Sequence, residues 1–372
     1  MLRLGNKFGI LSIIALAVLL LVVLPNVLDP FRLNLVSKYL VFAVVGVGIV
    51  LVWGYAGILS LGQGIFFGLG GYLMAMFLKL EASAPELPDF MIWSSTETLP
   101  WWWEPYHSLT FTALSILIVP SVLAFVLSYA IFRKRVSGVY FAIITLALAL
   151  TMTVLLVGQQ GYTGGANGIT DFRTLAGMSI ISEEGKRVLY FVQVLFLFAV
   201  MGIATAIVRS RVGKILIAIR DREDRVRFSG YDTALFKAFV FTVGALFASI
   251  GGALYSVQVG LITPTLVGAV ASIELVIYVA VGGRMSIIGA VYGALLVGWS
   301  KSIISENFPT VWLFFIGGLF IVITMFLPFG LAGLFARFSG KPGNNVVKAR
   351  AGEGVRSATG SVAAADGKGS AG

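Results

Sequence analysis

The sequence predicts an all-α, polytopic membrane protein with about ten transmembrane helices and both termini on the cytoplasmic side. Three observations carry that expectation. Hydrophobic residues make up 58% of the 372 residues and charged residues only 12%, about half the charge of a soluble domain, and the mean hydropathy is +0.96. Several apolar runs approach the ~20 residues that cross a bilayer. The runs are continuous rather than alternating. Lipid offers backbone polar groups no partner, so such runs become helices that satisfy their own N–H and C=O groups, not barrel strands.

Taken in order, the spans are expected over residues 8–24, 39–54, 57–79, 110–132, 138–157, 188–208, 237–257, 266–282, 286–304 and 311–328. The first follows Arg3 and Lys7 and reads as an uncleaved anchor, because no small-residue cleavage site follows Leu24. Gly54-Tyr55-Ala56-Gly57 and Ser60-Leu61-Gly62-Gln63-Gly64 separate the second and third spans. So many glycines fit a tight turn or a helix broken at membrane depth, which makes 57–79 either a full span or a re-entrant segment. Gly64 and Gly68 also form a small-xxx-small pair that lets helices approach closely.

Charge sets the expected orientation. The loop 80–109 holds Glu81, Glu86, Asp89, Glu97 and Glu104 and no Lys or Arg. Arg133-Lys134-Arg135 follows the fourth span, the loop 209–237 holds eight Lys and Arg residues, and Arg284 lies in the turn after the eighth span. With ten spans every basic loop falls on one side, which the positive-inside rule makes cytoplasmic. The acidic loop with Trp101, Trp102 and Trp103 then lies outside, where aromatic rings suit the interface. Residues 1–336 form the membrane domain. Residues 337–372, rich in Gly, Ala, Ser and Lys without an apolar period, are expected to be a disordered basic cytoplasmic tail.

Composition narrows the chemistry. There is no cysteine and a single histidine, His107, so thiolate sites, iron–sulfur clusters, a histidine metal cluster and a Ser-His-Asp choice of bases are excluded. No Gly-x-x-x-x-Gly-Lys-[Ser/Thr] cradle occurs; Gly185-Lys186 and Gly213-Lys214 lack its remaining positions. The expectation is therefore a non-catalytic membrane chain without metal or cofactor, and the net charge of +10 belongs to cytoplasmic loops rather than to nucleic-acid binding.

The loop 209–237 is longer and more patterned than a connector requires. Val212, Ile215, Ile219, Val226 and Phe228 place apolar points among charges, and Gly230 is a natural helix stop. It reads either as a solvated positive loop or as one or two short amphipathic helices that dock in a cleft of a cytoplasmic partner.

Ala218-Ile219-Arg220-Asp221 with Glu223, Gly230 and Lys237-Ala238-Phe239 resembles the ATPase-coupling loop of ABC-importer permeases of the branched-chain amino acid and urea type. Four further segments resemble the same family in order: Gly54 to Gly64 with Gly70-Gly71-Tyr72; Thr163 to Ile169; Ser272-Ile273-Glu274 with Gly282-Gly283-Arg284 and Gly289-Ala290; and Pro328-Phe329-Gly330-Leu331 with Gly333-Leu334. Within the family the chain looks most similar to the longer, second-type urea permease subunit. That narrower likeness rests on Leu99 to Pro105, Gly165 to Asp171, and Glu274 ahead of Ala280 to Arg284. Met285 and Phe329 depart from the family pattern.

The resemblance implies a permease subunit in the bacterial cytoplasmic (inner) membrane, moving urea or a short amide by alternating access. It also implies a second permease subunit in a heterodimer, two cytoplasmic ATPase subunits and a periplasmic substrate-binding protein. In the coupling loop Arg220, Asp221, Glu223 and Arg225 would contact the ATPase, with Gly230 ending the docking helix. Ser60, Gln63, Tyr72, Asn167 and Glu274 are the candidate substrate path, each also fitted to satisfying local backbone groups. Sparse intramembrane charge fits neutral urea, whereas a zwitterionic amino acid calls for complementary charges. The alternatives are a branched-chain amino acid permease and, less consistent with so few buried carboxylates, an ion-coupled secondary transporter.

Overall fold

A computed structural model describes residues 7–308, 310, 312–326 and 330–333 of the chain. The expected tail 337–372 lies outside the described residues. Helix α1, Lys7–Val18, runs on through a π-helical stretch, Leu19–Val23, into Leu24–Val27. Proline opens the next helix at its first position, where its missing N–H costs nothing, so α2 covers Pro30–Tyr55, with a π-helical end at Val50–Tyr55. There follow α3 (Gln63–Ser83), α4 (Leu109–Arg133), α5 (Val139–Gly158), α6 (Glu183–Arg209), α7 (Arg211–Phe228), α8 (Thr233–Val259), α9 (Ala269–Gly282), α10 (Ile287–Asn307) and α11 (Trp312–Phe326). Each of the ten expected spans overlaps a helix among the described residues.

Seven of these helices, α2 to α6, α8 and α10, are long and apolar enough to cross a membrane. The rest fall short of the expected ten: the apolar stretch Leu11–Val27 is shorter, and α9 and α11 have 14 and 15 residues. At 1.5 Å per residue a helix the length of α9 covers about 21 Å of a ~30 Å hydrocarbon core. Helix α9 is short because the chain beside it turns irregular inside the protein. Pro264–Leu266 is a 3₁₀ turn ahead of it, and Gly283 at φ +114° ends it.

The core is the packing of α2, α3 and α8. In the most apolar 18-residue stretches of α2 and α3, 78% and 83% are buried, whereas in those of α4 and α5 only 28% are, so apolar side chains there face outward. Glycines let the central backbones touch. A Cβ at Gly252 of α8 would fall 1.7 Å from the Phe67 carbonyl oxygen of α3, and one at Gly70 would fall 2.0 Å from the Ser249 carbonyl oxygen. The Ser256 hydroxyl donates to the Gly71 carbonyl at 3.0 Å across the same seam.

The glycine-rich segment after α2 resolves the choice between turn and broken helix in favour of a break. Residues 56–62 are not helical, and α3 starts at Gln63 rather than near 57. Gly251 packs on Val45 and Gly244 on Gly48 and Val52, so α2 and α8 run antiparallel and the end of α2 at Tyr55 lies near the first turns of α8. Gly252 meets Phe67 and Ser256 meets Gly71, so Gln63 lies near Ala248. The break therefore climbs roughly ten residues of α8, about 15 Å, a distance that six or seven residues of non-helical chain span at ~3.3 Å each. The chain therefore rises through the bundle in irregular form before α3 begins.

The basic segments meet at one end of the bundle: Lys237 lies over the Phe132 ring at 5.5 Å, Arg284 over the Trp53 ring at 5.6 Å, and Arg220 reaches Gly54. The opposite end carries the acidic loop. There Lys79 pairs with Asp89 at 2.9 Å, and the Glu81 carboxylate accepts from the backbone N–H groups of Ala176 and Gly177 at 2.9 and 2.8 Å, holding the hairpin Thr174–Leu175/Met178–Ser179. Ile169–Thr170 pairs antiparallel with Leu261–Ile262. Trp101 and Trp102 are exposed and stand edge-to-face, with Tyr162 beyond them, while Trp103 stands against Tyr106.

Gly252→Val is expected to lower the thermal midpoint of the detergent-solubilised protein sharply, since its side chain has only backbone to displace and overpacking of a tight core costs about 1–3 kcal/mol or more. Gly202→Val on α6, where no atom lies within 4 Å of an added Cβ, should leave the midpoint unchanged. Thermal-shift measurements on both variants decide it.

Candidate functional site

At the basic end, α7 is amphipathic, with Gly213, Leu216 and Ile219 buried against the spans. The Ser210 hydroxyl caps it by accepting from the Gly213 N–H. Arg222, at φ −154° and ψ 80°, breaks it into two short helices. The second stops at Phe228. Gly230 follows at φ +87°, a left-handed position suited to glycine, and its N–H donates to the Arg227 carbonyl at 2.9 Å.

Two of the four residues expected to face an ATPase turn inward instead. The Arg220 guanidinium donates to the Gly54 carbonyl at 2.8 Å and meets the Met285 sulfur at 3.2 Å, while its other nitrogens hold Asp221 at 3.1 Å. Gly57 lies beneath its alkyl stem; a Cβ there would come 2.6 Å from Arg220 Cγ. Glu223 accepts from Lys237 at 2.5 Å, from Arg227 at 3.1 Å and from the Thr233 hydroxyl at 3.1 Å, which staples α7 to the start of α8. Burial pushes the Glu223 carboxyl up. The hydrogen bond and charge of Lys237, the Thr233 hydroxyl and the Arg227 charge outweigh that and hold it below the usual carboxylate range. The outward face is made by Asp221, Arg222, Asp224, Arg225 and Phe228, the last 92% exposed. The kink at Arg222 shifts the helical phase, so spacing alone did not separate inward from outward residues.

The five candidate path residues do not converge. Ser60 and Gln63 sit in and just after the break. The Ser60 hydroxyl accepts from the Gly62 N–H at 3.3 Å, Thr145 of α5 accepts from the Leu61 N–H at 3.1 Å, and Ser272 of α9 accepts from the Gly64 N–H at 3.0 Å. Gln63 is 1% exposed, and neither its amide oxygen nor its nitrogen finds a partner among the described residues. Tyr72 is buried further along α3 with its hydroxyl likewise unpartnered, and Asn167 is exposed on the 3₁₀ turn Gly165–Asn167.

Glu274 lies apart from these four, on α9. It accepts from Lys301 of α10 at 2.5 Å and from the Tyr278 hydroxyl. Together they border a partly open cavity of about 310 Å³ between α2, α9 and α10, which Lys38, Tyr39 and Glu306 also line. Starting a span at residue 39 left Lys38 out; Asp29-Pro30, a helix-opening pair, was the signal that the helix begins earlier. Lys301 was inside an expected span, but its pairing with Glu274 is a long-range contact. Among the described residues no cluster of His, Cys, Asp and Glu could hold a metal ion.

The chain is similar in sequence to known permease proteins. The high-affinity branched-chain amino acid transport system permease protein LivM of Escherichia coli (strain K12) is 25% identical over 345 residues, covering 86% of this chain and 74% of LivM. LivM of Salmonella typhimurium is 25% identical over 331 residues, covering 82% and 71%. BraD of Pseudomonas aeruginosa, with the same description, is 25% identical over 302 residues, covering 78% and 91%. No solved structure shows a significant match. Residues 31–324 match the family described as branched-chain amino acid transport system / permease component, so this multi-pass membrane chain belongs to that permease family.

Proposed function

We propose that the chain is one permease subunit of an ATP-binding-cassette importer in the bacterial inner membrane, carrying a branched-chain amino acid by alternating access. The observation that carries the reading is α7: a kinked amphipathic helix at the basic end, tied to the spans through Arg220 and Glu223, with a charged face and Phe228 turned away from the bundle. A separate ATPase subunit docks on that face, through Asp221 and Arg225 among the four residues first expected there. Arg220 then passes its displacement to the Gly54 end of α2 and to the break, and Glu223 passes it to α8. The chain has no phosphate cradle of its own, which supports two separate ATPase subunits; a second permease subunit and a periplasmic binding protein complete the assembly that the family resemblance implies.

The amino-acid cargo is supported by the names of the matched relatives and by the charges around Glu274, which suit a zwitterion better than neutral urea. The urea reading keeps one specific support, the likeness of Leu99 to Pro105 and Gly165 to Asp171 to urea permease subunits. Labelled leucine and labelled urea, offered to cells lacking the chain and to cells with it restored, separate the two. Restored leucine uptake is expected; restored urea uptake that ignores excess leucine would replace the cargo and leave the permease standing.

The coupling role has its own outcomes. Arg220→Lys keeps the charge but not the fork, and is expected to cut uptake at least tenfold while the assembled complex still hydrolyses ATP; unchanged uptake would remove Arg220 from the coupling path. Gly230→Pro cannot adopt φ +87° and lacks the N–H that closes the turn, so uptake should vanish with membrane insertion intact.

The Glu223 staple contributes stability that is present above the unfolded carboxylate pKa of ~4.3 and is lost as pH falls through the lowered folded value. Glu223→Gln should remove that pH dependence and cost about 1.5–3 kcal/mol, the worth of a hydrogen bond to a charged group. Tryptic cleavage at Arg225 and Arg227, measured down through pH 4 with the digestion itself at neutral pH after brief exposure, checks both.

A further inference from the structure

We infer that the cavity between α2, α9 and α10 is a binding site within the permease itself for a free α-amino acid with an apolar side chain. Lys38 takes the carboxylate, Glu306 takes the ammonium group and an aromatic box takes the side chain. The assignment rests on the amino-acid reading above and goes further by giving this chain a solute site of its own.

Four features of the cavity lead there. Its floor is apolar and aromatic. Phe42 lies against Tyr278 at 5.5 Å, Tyr255 at 5.8 Å and Phe67 at 6.1 Å between ring centroids, and Phe67 meets Tyr255 at 5.4 Å. All four rings line the cavity. Its rim carries charge of both signs, with Lys38, Lys301, Glu274 and Glu306 contributed by three helices. Glu274 is already answered by Lys301 and Tyr278. Lys38 and Glu306 instead make no ion pair or hydrogen bond among the described residues, so one cation and one carboxylate at the same rim are available to a ligand. Finally, its size of about 310 Å³ falls at the lower end of small-molecule sites. Urea, with four heavy atoms and no apolar part, would leave the aromatic floor empty.

The mouth lies where Ser305 and Glu306 are exposed, near the end of α10. Lys38 is one helical turn below the Asn34 level of α2, away from the π-helical end that Arg220 holds. A solute would therefore enter at the end opposite α7. The wall of the site connects to the break: Ser272, which receives the Gly64 N–H, is two residues from Glu274 on α9. Movement of the break would tilt that wall.

The test uses the assembled transporter in nanodiscs, without its binding protein, and measures equilibrium binding of tritiated leucine alongside leucine uptake in cells. Saturable binding is expected, displaced by isoleucine and valine but not by urea, by leucinamide or by 4-methylpentanoate, which each lack one pole. Lys38→Met and Glu306→Gln, both close in size to the residue replaced, should each weaken leucine binding at least tenfold. Leucine uptake in cells with no binding to the nanodisc complex, or with binding that ignores both substitutions, would overturn the site and leave the amino-acid permease intact. Binding of urea in place of leucine, displaced by neither amino acid, would overturn the site and the amino-acid cargo together. Displacement by leucinamide as effective as by leucine would overturn the role of Lys38.

Discussion

Non-helical chain inside a membrane protein must find a partner for its backbone polar groups, because lipid supplies none. The break and its two flanks, residues 54–64, meet that requirement by borrowing from several neighbours. Arg220 of α7 donates to the Gly54 carbonyl, Thr145 of α5 accepts from Leu61, and Ser272 of α9 accepts from Gly64. Each of those bonds ties a different helix to the break. The segment that cannot be helical is therefore the one through which the α7 end, the peripheral α5 and the cavity wall on α9 are joined.

This arrangement supports the coupling role proposed for α7. A helix lying on the surface of a bundle transmits little if only apolar contacts hold it, since those slide. Arg220 and Glu223 are directional: a guanidinium fork aimed at a backbone carbonyl, and a carboxylate shared by Lys237, Arg227 and Thr233. The glycines at Gly70, Gly71 and Gly252 bring α3 and α8 into backbone contact. On the coupling role proposed for α7, its displacement would reach α3 by two routes, through the break and through α8.

Much of this was legible before any coordinates. The apolar runs located ten helical segments, and the sign of the loops sorted the basic ones to one end, where Lys237, Arg284 and Arg220 meet the helix ends. Gly230 was readable as a stop because a left-handed residue after a helix is a local demand that glycine meets. Arg220 and Glu223 were expected to face outward, and they turn inward because the non-helical Arg222 between them resets the helical phase. Charge in the spans was underestimated for a different reason. Lys38 was cut off by a boundary drawn at the start of the most apolar run, and Glu306 lies just beyond another.

By itself, the sequence determined the solvent of this protein, its helical class and the end at which its basic loops gather. Those properties are sums over local residues: transfer free energy accumulates along a run, and charge is repelled or tolerated loop by loop. Only the tertiary structure decided that α3 begins well inside the bundle, that Arg220 points to Gly54, and that Lys38, Glu274, Lys301 and Glu306 border one cavity. Those depend on which residues hundreds of positions apart are brought within a few ångströms, and close packing of α2, α9 and α10 settles that, not any periodicity within one helix.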